Sequence, residues 1–102
     1  MKNWRAYEDK VRELREYLEQ KYTASPNVEV SLLLPGESGF QHDVEIPYIS
    51  VKYYLNEDSF HERKVELFEH YLIRDIKDII SLITDLIEEF IMEVEQAEYG
   101  GG

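Results

Sequence analysis

The chain of 102 residues contains no cysteine. It therefore closes no disulfide and offers no thiolate to a metal or a substrate, which fits an intracellular protein. Proline and glycine are scarce and unevenly placed. Pro26, Pro35, Pro47, Gly36 and Gly39 all fall in the first half, and from Ser59 to Tyr99 there is neither. Positive charge is short as well: 11 Lys and Arg stand against 22 Asp and Glu, for a net charge of −11. That balance argues against direct nucleic-acid binding, which needs clustered bases, and favours a cationic protein partner. The start, MKNWRAYEDKVREL, lacks the apolar run of a signal peptide, so a cytoplasmic location is expected. The most apolar run, Ile76 to Val94, is interrupted by Asp78, Asp85, Glu88, Glu89 and Glu93, which a bilayer span would have to bury. No membrane partner is expected.

What the chain does contain is periodicity. Trp4, Tyr7, Val11, Leu14 and Leu18 recur by three and four, a narrow helical seam within a helix expected from about Asn3 to Tyr22. With Lys2 just before it, this segment carries six bases and five acids and is nearly neutral, so the acidity belongs to the rest of the chain. Thr23 to Asn27 reads as a turn closed by Pro26. Val28, Val30, Leu32 and Leu34 then alternate as a half-buried strand, and Pro35 to Gly39 ends it. A second strand runs from Tyr48 to Leu55, with Ile49, Val51, Tyr53 and Leu55 on one face. Val44 and Ile46 share a face before the break at Pro47.

From Ser59 to Tyr99 the spacing predicts one long helix. Ser59 and Glu62 have the S-x-x-E spacing of a capping box, and Val65, Phe68, Leu72, Ile76, Ile79, Ile83, Leu86, Phe90 and Val94 recur on one face. The expected architecture is α+β in the order α-β-β-α: an N-terminal helix, an antiparallel hairpin and one long C-terminal amphipathic helix. It forms a single domain over residues 1–99, with a flexible tail, Gly100 to Gly102, beyond it. A helix of about 38 residues would measure about 57 Å at 1.5 Å per residue, whereas a chain of this size has a radius of gyration near 13 Å, or about 35 Å across. Either the helix bends near Ile73 to Asp78 or a second copy covers its end, and with no Gly or Pro to mark a bend a homodimer is the expectation.

Catalytic patterns are missing. His61-Glu62 does not continue as H-E-x-x-H, no glycine-rich loop opens a helix, and no serine elbow is present. Glu66 and His70, four apart, would make two ligands of a metal site if both were helical, but no third ligand accompanies them, and Glu69 reads as a carboxylate at the rim of an apolar face. No enzyme activity, cofactor or metal is expected. The end of the C-terminal helix breaks a local rule instead. After Lys77 there is no base, while the acids Asp78, Asp85, Glu88, Glu89, Glu93, Glu95 and Glu98 accumulate. Acids near a helix C-terminus oppose the macrodipole and repel one another at i, i+3 and i, i+4. The first six are the candidate partner-binding residues, with Glu88 and Glu95 beside a more outward set of Asp78, Asp85 and Glu89. Tyr48, Lys52 and Tyr54, on the outward face of the second strand, are a further candidate patch.

This profile (small, acidic, cysteine-free, without motifs) is similar in composition to phage-encoded inhibitors of host defence such as anti-CRISPR proteins and DNA mimics, and to bacterial immunity proteins and antitoxins. The resemblance implies a binding protein that blocks a basic, nucleic-acid-handling partner, in the host cytoplasm if phage-encoded. The alternative is a self-associating adaptor whose apolar helical stripe is its working surface.

Overall fold

The alternation of Val28 to Leu34 and of Tyr48 to Tyr54 builds two paired strands, and a third strand joins them before the chain turns helical again. The structure, a computed structural model, describes residues 4–43 and 45–98. Val44, the helix end at Tyr99 and the tail Gly100 to Gly102 lie outside the described residues. Trp4–Tyr7 forms a 3₁₀ turn that leads into α1 (Glu8–Tyr22). β1 (Val28–Leu33), β2 (Tyr48–Tyr54) and β3 (Phe60–Glu66) come next, then a single helical turn α2 (Glu69–Leu72) and α3 (Ile76–Glu98). The sheet is antiparallel in the order β1-β2-β3, with Val30 opposite Val51 and Val51 opposite Arg63. The fold is α+β, with an N-terminal helix and a long C-terminal helix around a hairpin-based sheet.

The long helix is shorter than its spacing suggests. Residues 60–66 pair with β2 instead of continuing a helix. Asn56 turns the chain: its side-chain carbonyl accepts the amides of Asp58 (2.8 Å) and Ser59 (3.0 Å), and the Ser59 carbonyl accepts the Leu55 amide at 2.9 Å. An Asx turn of this kind satisfies backbone donors locally and closes a hairpin. Ser59 and Glu62 form no capping box. Ser59 closes the turn, and Glu62 accepts the Ser50 hydroxyl across the strands at 2.6 Å. Leu67, not Phe68, enters the core: Leu67 is fully buried while Phe68 is exposed.

A break at Ile73–Asp75 then separates α2 from α3. Lys10 of α1 caps α2 by donating to the carbonyls of Leu72 (2.9 Å) and Arg74 (2.7 Å), a favourable use of a cation at helix-end carbonyls. Breaking the helix here resolves the length problem. The 23 residues of α3 span about 34 Å at 1.5 Å per residue, within a molecule whose longest axis is 45 Å. Helix length therefore no longer asks for a second copy.

One core holds the elements together. Val11, Leu14 and Leu18 of α1 meet Val30 and Leu32 of β1, Ile49, Val51 and Tyr53 of β2, and Ile79, Ile83, Ile87, Phe90 and Val94 of α3. The apolar stripe of α3 is thus spent inside the protein and is not a free surface for self-association. Each fully buried Ile or Leu contributes about 1.5–3 kcal/mol by removal from water. The opposite sheet face carries Glu29, Ser50, Lys52, Tyr54, Glu62 and Lys64, the side-chain alternation of strands covered on one face. The loop after β1 crosses the start of this outer face, taking positive φ at Gly36 (90°) and Gly39 (91°), where the missing Cβ removes the steric cost.

Candidate partner interface

α3 lies over the sheet so that its acids fall on three sides. On the flank toward α1, the Tyr22 hydroxyl donates to Glu88 at 2.7 Å and the Tyr53 hydroxyl to Glu95 at 3.1 Å. On the flank toward β3, Arg63 donates to Glu93 at 3.0 Å while its guanidinium sits 5.2 Å from the Phe90 ring centre, and the His61 ring lies 3.1 Å from Glu98. Asp78, Asp85 and Glu89 form the crest between the flanks. All three are exposed, and no hydrogen bond or ion pair engages them among the described residues.

The predicted acidic surface therefore divides. Glu88, Glu93 and Glu95 stand in the candidate patch but also serve the fold, and their donors come from elements distant in sequence. Sequence spacing alone had no means of assigning those donors. Asp78, Asp85 and Glu89 lie together on the outward side, where the helical projection puts them. Burial pushes the Tyr22 hydroxyl well above its ordinary value, and the hydrogen bond and charge of Glu88, with Tyr17, push it further. The neutral phenol thus remains the donor throughout the ordinary pH range.

The strand residues separate as well. Lys52 and Tyr54 are half-buried on the outer sheet face, with Lys52 Nζ 5.0 Å from the Phe60 ring centre and the Tyr54 hydroxyl donating to Glu29 at 3.1 Å. Burial raises the Tyr54 hydroxyl above its usual range, and the hydrogen bond to Glu29 adds to that. Phe60, 45% exposed, completes an aromatic and cationic patch there. Tyr48 has the expected outward parity but is only 1% exposed. The loop folds over it: Phe40 and His42 pack on its ring at 5.2 and 5.5 Å, and its hydroxyl oxygen accepts the Gln41 amide at 3.0 Å. Tyr48 is not a presented residue, because an outward-facing side chain is surface only if no loop covers it. The α3 crest and the Lys52–Tyr54 patch lie on opposite sides of the sheet and form no common surface.

The Glu66 and His70 pair does not share a helix. Glu66 ends β3 and meets His42 at 3.2 Å, while His70 sits on α2 with its ring 4.3 Å from that of Tyr71. Among the described residues no group of three His, Asp or Glu side chains is placed to hold a metal. Glu69 accepts the Tyr7 hydroxyl at 3.1 Å, a contact between the start of α2 and the 3₁₀ turn, and that bond, with burial and the Glu69 charge, raises the Tyr7 hydroxyl. On the far side of α1, Arg15 holds Glu37 through two bonds of 2.8 and 3.0 Å, and the Leu34 amide donates to the same carboxylate. Burial pushes Glu37 up, but these donors and the charges of Arg15 and Arg12 outweigh it and hold the carboxyl below its usual range.

No described helix is long and apolar enough to cross a membrane. Comparison with known protein families, curated proteins and solved structures finds no match.

Proposed function

We propose that this chain is a small non-enzymatic binding protein whose acidic surface docks on a basic protein, one that handles nucleic acid. The observation that carries this reading is the crest of α3. The chain supplies donors to the neighbouring carboxylates, yet leaves Asp78, Asp85 and Glu89 exposed and uncompensated. Exposed carboxylates that no hydrogen-bond donor or base of the fold engages are available to a cationic surface, and their field acts mainly on the rate of encounter. The compositional similarity to phage inhibitors of host defence points the same way, toward a partner whose own basic surface is built for phosphate.

The test is affinity capture from the source cell with the parent chain beside the variant Asp78→Asn/Asp85→Asn/Glu89→Gln. A basic protein held by the parent, lost from the variant and released between low and physiological salt supports the reading. The same proteins retained on both, with no dependence on salt, would overturn it.

A further inference from the structure

β1 is one edge of the sheet, and part of its backbone is open. Asn27 accepts the Tyr54 amide at 2.8 Å, and the register fixes Glu29, Ser31 and Leu33 as the positions that bond to β2. Val28, Val30 and Leu32 therefore turn their amides and carbonyls away from the sheet. Glu19 of α1 takes one of these, accepting the Leu32 amide at 3.4 Å. No described group pairs with the outward amides of Val28 and Val30.

A cleft of about 550 Å³ runs along this edge, walled by Glu19, Tyr22 and Thr23 on one side and Glu29, Ser31 and Tyr54 on the other. Across Pro26 and Val28 it continues into a second cleft of about 290 Å³, which reaches Glu88 and Glu95 on α3. Neither cleft is lined by a Lys or Arg. We propose that this edge takes an extended, basic segment of a partner protein by strand addition: Val28 and Val30 supply the backbone pairing, and Glu29, on the outer face, receives its cationic side chains. Main-chain bonds supply affinity in this mode, and alternate side chains supply selectivity. The inference rests on the reading that the partner is basic, but it places the contact on β1 rather than on the α3 crest.

A second copy of this chain fits the edge poorly. With Leu32 taken by Glu19, the symmetric pairing that uses Val28 and Val30 of two copies sets their Glu29 side chains directly opposite each other, and like charges so placed destabilise a ladder. A basic strand has the opposite sign at that position. The other edge, β3, is less open to addition, because its exposed run His61–Lys64 carries charges of both signs.

The test uses a fluorescent octapeptide of alternating Lys and Val with blocked ends, and two further versions N-methylated on every Lys or on every Val. Methylation keeps the charge and removes one row of backbone donors, so it needs no change in the protein. At low ionic strength the parent peptide should bind and slow amide exchange at Val28 and Val30. One methylation pattern should weaken binding by about tenfold or more, as expected when several hydrogen bonds are lost, and the other should leave it nearly unchanged. Glu29→Lys should also weaken it. Equal binding by all three peptides, no binding by any, or a dimer that already protects Val28 and Val30 without peptide would overturn the proposal. The crest variant Asp78→Asn/Asp85→Asn/Glu89→Gln separates the two readings. If it loses the peptide while methylation has no effect, the edge inference fails and the crest stands. If it binds normally while one methylation pattern fails, the edge stands and the crest is not the contact.

Discussion

α1 and α3 pack on the same sheet face, and their charged surfaces are built on different plans. α1 carries both signs in nearly equal number: Arg12 donates to Glu8 one turn back at 2.7 Å, while Arg15 holds Glu37 and Lys10 caps α2. α3 has no base after Lys77 and relies on Tyr22, Tyr53, Arg63 and His61 for donors from elsewhere. A helix that balances its own charge gives little away about its surroundings. One that does not balance it divides its acids into those the fold answers and those left to solvent or a partner.

Apolar burial does not distinguish the helices, and a matched pair of truncations tests that. Leu14 and Ile83 are both fully buried. Leu14→Ala and Ile83→Ala should each cost about 2–5 kcal/mol in urea unfolding, because each leaves a cavity in the shared core. A markedly smaller loss for Ile83→Ala would mean that α3 opens separately from α1 and the sheet, and the comparison would then be between a fixed helix and a loose one.

The flank of α3 is tested by Tyr22→Phe, which removes the donor to Glu88 and should cost about 0.5–1.5 kcal/mol near neutral pH, a typical net hydrogen bond. The Tyr22 pKa is raised on folding, so the folded state keeps a proton that the unfolded state loses. Its contribution is complete below the ordinary value of 10.0 and declines as pH rises beyond that value. The parent should therefore lose stability above about pH 10, and Tyr22→Phe should flatten that decline. Glu37 gives the opposite sign on the α1 side. Its depressed pKa supplies stability above the ordinary value of 4.5 that is lost on acidification. Arg15→Ala should accordingly make the protein more acid-resistant relative to its own neutral stability.

An effect of similar size and the other sign is expected at Thr84. Its hydroxyl oxygen is buried in α3 with no hydrogen-bond partner among the described residues. Thr84→Val keeps the shape and should gain about 0.5–1.5 kcal/mol, since an unsatisfied buried polar group costs free energy that a methyl does not. No change in the urea midpoint would mean that the hydroxyl finds water or a carbonyl in solution.

The two helices also differed in how openly the chain announced them. α1, β1 and β2 arise from seams and alternations that persist in the folded protein, and Ile79, Ile83, Phe90 and Val94 face the core as their spacing requires. Residues 59–75 did not declare themselves. His61, Glu62, Arg63 and Lys64 are polar on both faces, so the strand has no hydrophobic period there. Val65, Phe68 and Leu72 then happen to fall at helical steps. What makes this segment a strand is pairing with β2, together with α3 lying across Arg63 and His61, and both are tertiary causes. The turn chemistry of Asn56 was the local signal that favoured a hairpin. At the candidate interface, the exposure of Asp78, Asp85 and Glu89 was readable from helical projection. The cover over Tyr48 was not, because a loop's path is not encoded in strand alternation. The open edge at Val28 and Val30 was also out of reach, since it depends on which strand lies outermost.

The smallest expected effects lie within the crest itself and separate its residues from one another. Asp78 stands in the first turn of α3, where a carboxylate faces the positive end of the helix dipole. Asp78→Asn should cost about 0.3–1 kcal/mol at low salt. Glu89 lies four residues after Asp85 and four before Glu93, with no base on α3 beyond Lys77 to offset either. Glu89→Gln should gain about 0.2–0.5 kcal/mol for each repulsion it relieves. Both changes should fade at high salt, as exposed charge effects do. Thermal unfolding of the two variants at two ionic strengths measures this directly. Opposite shifts that converge with salt would show that Asp78 has a structural use and Glu89 has none, leaving Glu89 and Asp85 as the acids most fully available to a partner. Shifts of the same sign would mean that the crest behaves as one patch, with its repulsion outweighing the dipole along its whole length.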